Sequence, residues 1–160
     1  MLINATACYL TSEGKTLFVY RNKADDQFKG WYFPPGGRTE RGERGVDCVV
    51  REFREESGLE LVNPKLKVIA TFYNQGRNLK DKKDQDDWRV EIYKANQFTG
   101  VLRKEHKNSK LIWVDNTDIS NLRVYPADRG IMKLLDKKGI FEVLAQYSGD
   151  KLVRFKYQSV

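Results

Sequence analysis

Residues 37–59 read GRTERGERGVDCVVREFREESGL, from Gly37 to Leu59. Within them Val46, Val49, Val50 and Phe53 recur at i, i+3, i+4 and i+7, the period of one buried helix face. That spacing predicts a helix over 46–57, with Gly58 as its C-terminal stop. Glu52, Glu55 and Glu56 fall at i, i+3 and i+4, so their carboxylates share a stripe beside the apolar one. Three like charges in such a stripe repel and destabilise an isolated helix. Cations between the carboxylates relieve the repulsion, and hard divalent ions with oxygen ligands, magnesium above all, fit that geometry. Arg51 is close enough to orient a carboxylate as a bidentate pair. Glu43, in the loop before the helix, can fold back on the same site. Gly36 and Gly37 let the backbone come close to a metal or phosphate.

The flanks read as strands with one further helix. Residues 2–10 and 16–20 are apolar runs around the turn Ser12-Glu13-Gly14-Lys15. Trp31-Tyr32-Phe33-Pro34-Pro35-Gly36-Gly37 cannot be regular helix. Strands are expected at 66–73 and 88–95, with the polar stretch 75–87 between them as a solvated hairpin tip, a mobile lid over a site being the less favoured alternative. A short strand follows at 111–114. Residues 127–138 read as a helix behind Pro126, with Ile131, Leu134 and Leu135 as its stripe and Gly139 as its stop. Residues 141–147 and 152–157 form a terminal hairpin that can pair within the domain or across a dimer. No repeat or linker interrupts the chain, so one α/β domain over 1–160 with a mixed sheet is expected.

Composition narrows the chemistry. The chain has 160 residues, 40% hydrophobic and 32% charged, which excludes a collagen, a mucin or a fully disordered chain. It contains no run of 18 or more apolar residues, so no membrane span is expected. Met1-Leu2-Ile3-Asn4-Ala5 lacks the basic and apolar regions of a signal peptide. Cys8 and Cys48 are too few and too far apart for a disulfide framework or a thiolate zinc site, and a reduced, cytoplasmic protein is expected. The single His106 provides no histidine pair for a metal and lies in a charged stretch. Hydrolytic chemistry here therefore falls to carboxylates, lysines or a metal held by oxygen. The net charge of +7 fits an anionic partner (nucleotide, nucleic acid or phosphate), and it fits a merely solvated lysine-rich surface equally well.

The fixed points of the opening stretch are Gly37, Glu43, Arg51, Glu52, Glu55, Glu56 and Gly58, with Phe53 and Leu59 apolar. With residue frequencies of about 6% each, seven such positions coincide with a probability of order 10⁻⁹ per starting point. An ordinary acidic surface helix does not explain that. The spacing is that of the Nudix box, and the chain resembles the Nudix hydrolase superfamily. The resemblance implies an α/β Nudix fold, a mixed β-sheet sandwiched between α-helices. It implies hydrolysis of a nucleoside diphosphate linked to another group, with Mg2+ as cofactor and Mn2+ as the alternative ion. The implied metal ligands are Glu52, Glu55, Glu56 and the carbonyl of Gly37. The implied catalytic set is Glu52, Glu55, Arg51 and Glu43. One glutamate, most often that at Glu52, is the base toward water, and Arg51 and Glu43 are the orienting pair.

Beyond the box the chain resembles the MutT-type branch. Tyr125-Pro126-Ala127-Asp128 matches a segment that contacts the purine in enzymes acting on oxidised purine nucleoside triphosphates. Tyr125 is then a stacking face and Asp128 a partner for the purine edge, with Phe33 beside them at a base-contacting position. The readings without a ligand are Tyr125 as a core aromatic and Asp128 as a first-turn acid favoured by the helix dipole. Ala127 departs from the pattern where a second acid is usual, and Lys110 lies near a position that often carries glutamate. The expected function is magnesium-dependent hydrolysis of nucleotides such as 8-oxo-dGTP to monophosphate and pyrophosphate. Alternative substrates are an RNA 5′ end, ADP-ribose or a nucleoside-diphosphate sugar, and a dinucleoside polyphosphate. A non-catalytic nucleotide-sensing module is disfavoured because every box glutamate is present. The expected partner is the nucleotide, with RNA less favoured, no membrane, and a monomer or homodimer.

Overall fold

Alternation along the first strand sets the layers. A computed structural model describes residues 1–24, 26–75, 86–107 and 109–160. Strand β1 (Leu2–Ser12) sends Cys8 and Leu10 to one face and Tyr9 to the other, as period-two pleating requires. Strand β2 (Lys15–Arg21) does the same with Leu17 and Val19 against Phe18. Each face therefore needs its own cover. Helix α1 (Gly45–Ser57) covers the Cys8 face with Val49 and Phe53, and helix α2 (Pro126–Leu134) covers the Tyr9 face with Ala127, Ile131 and Leu134. The mixed sheet is sandwiched between helices, as the resemblance implies.

The short strands β3 (Tyr32–Phe33), β4 (Gly36–Arg38) and β5 (Leu59–Val62) flank α1 in the chain. Then come β6 (Lys65–Gln75), β7 (Asp87–Ala95), β8 (Gln97–Gly100), β9 (Glu105–His106), β10 (Ser109–Asp115), β11 (Phe141–Ser148) and β12 (Lys151–Ser159). Among the described residues the main sheet runs β12-β11-β6-β7-β1-β2-β10-β9, with β4 on β1 and β3 on β2. The β1–β7 and β6–β11 pairs are parallel and the rest antiparallel. The terminal hairpin pairs within this chain, β12 lying along β11.

One irregularity positions the site. β1 and β2 pair only at their turn, Thr11 with Thr16 and Ser12 with Lys15. Beyond that they splay, and the segment 32–38 fills the gap. β3 runs along β2 at Val19 and Tyr20, and β4 runs along β1 at Ala5 to Ala7. Pro34 and Pro35, with no N–H to give a ladder, make the crossing between them.

Three expectations shift. The buried face of α1 is Cys48, Val49, Phe53 and Ser57, while Val46 and Val50 are half-buried. The helix leans toward β1, where the Thr6 hydroxyl donates to Cys48 Sγ at 3.1 Å. Helix α2 ends at Leu134 instead of 138, because the chain tightens into i→i+3 bonds from Leu135 to Met132 and from Lys137 to Leu134. The two-stranded sheet β5–β8 has no expected counterpart; strands of four residues give too short a pattern to read. The expected loop tip at 75–87 lies for the most part, residues 76–85, outside the described residues.

Phe53 is fully buried against Leu10, Leu17 and Leu59 of the core beneath α1. Phe53→Ala is expected to lower unfolding free energy by about 3–5 kcal/mol. Urea unfolding would check this, and a loss under about 1 kcal/mol would contradict this packing.

Candidate active site

Helix α1 begins at Arg44 without a side-chain cap; Asp47 in its first turn instead takes the Arg44 guanidinium at 2.8 Å. It ends at Gly58, whose φ of 77° puts it in the left-handed region while its N–H returns to the Arg54 carbonyl at 2.8 Å. Arg103 closes the last turn: its N–H donates to the Ser57 carbonyl and its Nη1 to the Glu55 carbonyl, both at 2.7 Å. The segment 103–107 is thereby fastened over the acidic end of the helix.

Arg51 organises the acids. Its Nε and Nη2 grip the Glu43 carboxylate at 2.7 and 3.0 Å, a bidentate pair. Nη1 donates to Glu52 Oε1 at 2.8 Å and reaches Glu55 Oε2 at 3.3 Å, and Nη2 also donates to the Arg38 carbonyl at 3.1 Å. The Arg51 hydrogen bonds, then one from the Glu40 backbone N–H, hold the Glu43 carboxyl down at about 2.

Glu52, Glu55 and Glu56 line one pocket of about 580 Å³ with Arg21, Lys107 and His106. Glu55 is the most open of the three and Glu52 is mostly covered. Burial, and then the charge of Glu52, pushes the Glu56 carboxyl up to about 8, against a backbone hydrogen bond from Gly36. Among the described residues no three acidic, His or Cys side chains stand together as a ready ligand set. The donor set still fits a hard divalent ion: three carboxylates face one pocket, and a side chain on Gly37 would overlap the Glu52 carboxylate, so only glycine leaves that cradle open. His106 is half-buried, with Nδ1 3.2 Å from Arg103 Nη1. Lys110 is exposed on β10 and Lys107 enters the pocket in its stead.

A second cavity, of about 430 Å³, opens where β1 and β2 splay. Its lining includes Gly37 and Glu56 together with Phe28, Phe33, Phe72, Tyr125 and Asp128. Val19, Arg21 and Glu56 line both cavities. Phe33 and Tyr125 lie 6.5 Å apart between ring centres, each within 6.4 Å of Phe28. One face of Tyr125 is taken by Tyr147, stacked at 4.5 Å, so the ring is core aromatic and cavity wall together. Asp128 is 8% exposed, and burial alone pushes its carboxyl up to about 7. The structure thus brings Glu43, Arg51, Glu52 and Glu55 together, and Phe33, Tyr125 and Asp128 together. Sequence reasoning missed Arg21, Phe28, Asn74, Trp88 and Lys107 at these cavities. For Asn74 a signal existed, since it continues the apolar alternation Val68, Ala70, Phe72 on one strand face.

The family profile described as NUDIX domain matches residues 1–135. An uncharacterized Nudix hydrolase of Bacillus subtilis strain 168, YvcI, is 34% identical over 140 residues, 85% of this chain and 80% of the relative. The CTP pyrophosphohydrolase of Escherichia coli strain K12 is 26% identical over 127 residues, 79% of this chain and 86% of the relative. The crystal structure of a MutT protein from Bacillus halodurans has a TM-score of 0.83 and 24% identity, covering 98% of this chain and 97% of that one, a likeness of fold. Among the described residues no helix is long and apolar enough to cross a membrane.

The buried Asp128 carries a pH signature. With its carboxyl raised from 3.8 to about 7, the folded state holds a proton that the unfolded chain releases, so stability falls as pH rises between those values. Asp128→Asn is expected to match the parent's stability below about pH 4 and to exceed it increasingly up to about pH 7, levelling beyond. Urea unfolding across that range checks this; a pH-independent difference would mean the carboxyl is not desolvated.

Proposed function

The chain belongs to the NUDIX domain family and is a hydrolase of phosphoanhydrides; from that premise we propose that its substrate is a nucleoside triphosphate with an oxidised purine base, such as 8-oxo-dGTP. The products are the nucleoside monophosphate and pyrophosphate, and Mg2+ is the ion. The observation that supports this reading is that a cavity with aromatic walls and a buried acid shares Val19, Arg21 and Glu56 with the acidic pocket. A flat base suits the walls, and a phosphate chain suits the other end.

Glu52, Glu55, Glu56 and the Gly37 carbonyl hold the ion, which supplies positive charge against the phosphate oxygens and lowers the pKa of water. Arg51 keeps Glu52 and Glu55 in place, and its own position is fixed by Glu43. Because Arg51 occupies Glu52 Oε1, Oε2 is the oxygen left to take the proton as water attacks phosphorus. The bond from phosphorus to the bridging oxygen breaks, and pyrophosphate leaves with the electron pair. Arg21 and Lys107, on the rim of the acidic pocket, offset the charge of the phosphate chain. Phe33 and Tyr125 clamp the base while Asp128 meets its edge.

A product assay by anion-exchange chromatography tests the reading, with 8-oxo-dGTP, dGTP, CTP, ADP-ribose and a 5′-triphosphate RNA offered in parallel. CTP is included because a relative carries that activity in its name. Preferential release of 8-oxo-dGMP and pyrophosphate is expected; preference for RNA, ADP-ribose or CTP would remove the oxidised-purine reading. Glu52→Gln and Glu55→Gln should each lower kcat about 100-fold or more. A chelator should abolish turnover and Mg2+ restore it. Undiminished turnover in both variants would place the chemistry elsewhere.

A further inference from the structure

Arg21, the last residue of β2, closes a loop with its backbone and crosses it with its side chain. Its N–H donates to the Trp31 carbonyl at 3.0 Å, and its carbonyl accepts the Gly30 N–H at 2.7 Å. Gly30 permits that return, its φ of 86° lying in the left-handed region. Across the loop, Arg21 Nε donates to Asp26 Oδ2 at 2.7 Å. The other carboxylate oxygen, Oδ1, accepts the Phe28 N–H at 2.9 Å, the turn an aspartate makes with the residue two places on. Asp26 is engaged through both oxygens, and its side chain is only 11% exposed although it lies on a loop. It lines the acidic pocket with its carboxylate already taken.

The partners of Asp26 stand at both cavities. Arg21 lines the aromatic one and the acidic one, and Phe28 lines the first. The Arg21 charge acts on the Glu56 carboxylate, so the guanidinium stands near the acids. With Nε spent on Asp26, Nη1 and Nη2 have no partner among the described residues. An arginine fixed at Nε presents those two nitrogens in one direction. Their complement is a pair of anionic oxygens, as on a phosphate.

Resting on the reading of the acidic pocket as the phosphate end, we propose that Asp26 is a positioning residue that sets the Arg21 guanidinium for the phosphate chain of the nucleotide. Asp26 touches no substrate. Its effect passes through Arg21, whose Nη groups meet the phosphate oxygens, and the same carboxylate fixes the turn that carries Phe28. Without it the long arginine side chain is ordered only on binding, which costs affinity. A lysine in place of Arg21 could not serve both partners, because an ammonium held by Asp26 has no second fork to offer.

The test is a double-substitution cycle on Asp26 and Arg21, read by steady-state kinetics on the nucleotide that the product assay ranks first, with thermal unfolding of each protein. Asp26→Asn keeps an oxygen for the Phe28 N–H and turns its NH2 toward Arg21 Nε, donor against donor. KM should rise about tenfold or more in Asp26→Asn and in Arg21→Gln. The loss should fall on KM more than on kcat, because the phosphate charge is present before the chemistry begins. In the Arg21→Gln background, Asp26→Asn should add less than about twofold. An equal further loss there would overturn the proposal, since Asp26 would then act without Arg21. A lowered melting temperature in Asp26→Asn beside the parent's KM marks a pair that only closes the loop, and also overturns it. The parent's KM in Arg21→Gln would remove the role of both residues and leave the hydrolase reading standing. If Asp26→Asn fails to fold, Arg21→Lys decides: KM raised as in Arg21→Gln supports the proposal, and the parent's KM overturns it. Failure of the oxidised-purine reading changes the nucleotide used and not the cycle. If no nucleotide is turned over, the proposed function fails. The same ratios are then read as calorimetric Kd for dGTP with a methylene in place of its α,β-bridging oxygen.

Discussion

The Arg51 guanidinium donates to Glu43, Glu52, Glu55 and the Arg38 carbonyl, and those partners come from the strand, the loop and the helix that build the acidic pocket. Without a cation at that point, Glu52, Glu55 and Glu56 would repel one another along a single turn. With it, the loop 39–44 is drawn back over the helix and the carboxylates acquire fixed directions. A lysine could not do this, because one ammonium cannot grip Glu43 with two parallel bonds while reaching Glu52 and the strand. Arg51 is only partly exposed, so these bonds are less screened than those of an ordinary surface pair.

The rest of the architecture serves that clamp. The core beneath α1, built on Phe53 and Val49, fixes the helix against β1, and Arg103 fixes its C-terminal turn. On the opposite face α2 is seated by its own stripe and by the Tyr147 hydroxyl, which accepts the Ala127 N–H at 2.9 Å. Between the helices so held, β1 and β2 part along one line. The cavity lies on that line, and Glu56 and Gly37 border it because both belong to the elements that frame the gap.

The two ends of the cavity differ in their physics. At the acidic end Arg51 offsets the carboxylates that it holds, so the geometry there depends on arginine and ions. At the aromatic end the Asp128 carboxyl and the Asn74 side-chain oxygen are buried. Burial costs a carboxyl or an amide carbonyl far more than it costs a ring.

Much of this was legible in the sequence because it is local. Periodicity over 46–57 marks a helix, the i, i+3, i+4 spacing puts three glutamates on one side, and Gly58 ends it; each rests on helix geometry that neighbouring residues impose on one another. The long strands and the terminal hairpin were legible for the same reason. The strands β5 and β8 were too short to leave a pattern, and the buried face of α1 turned toward Cys48 because β1, some forty residues away, offers Thr6 there. The aromatic cavity was half legible: Tyr125 and Asp128 were found through a short motif, Asn74 and Phe28 were not. Sequence by itself determined the acidic helix stripe and the faces of the strands, because spacing along the chain fixes which way a side chain points. Only the tertiary structure decided which faces meet. Phe33, Asn74 and Asp128 share a cavity through strand pairing and the splay of β1 from β2, which no local spacing encodes.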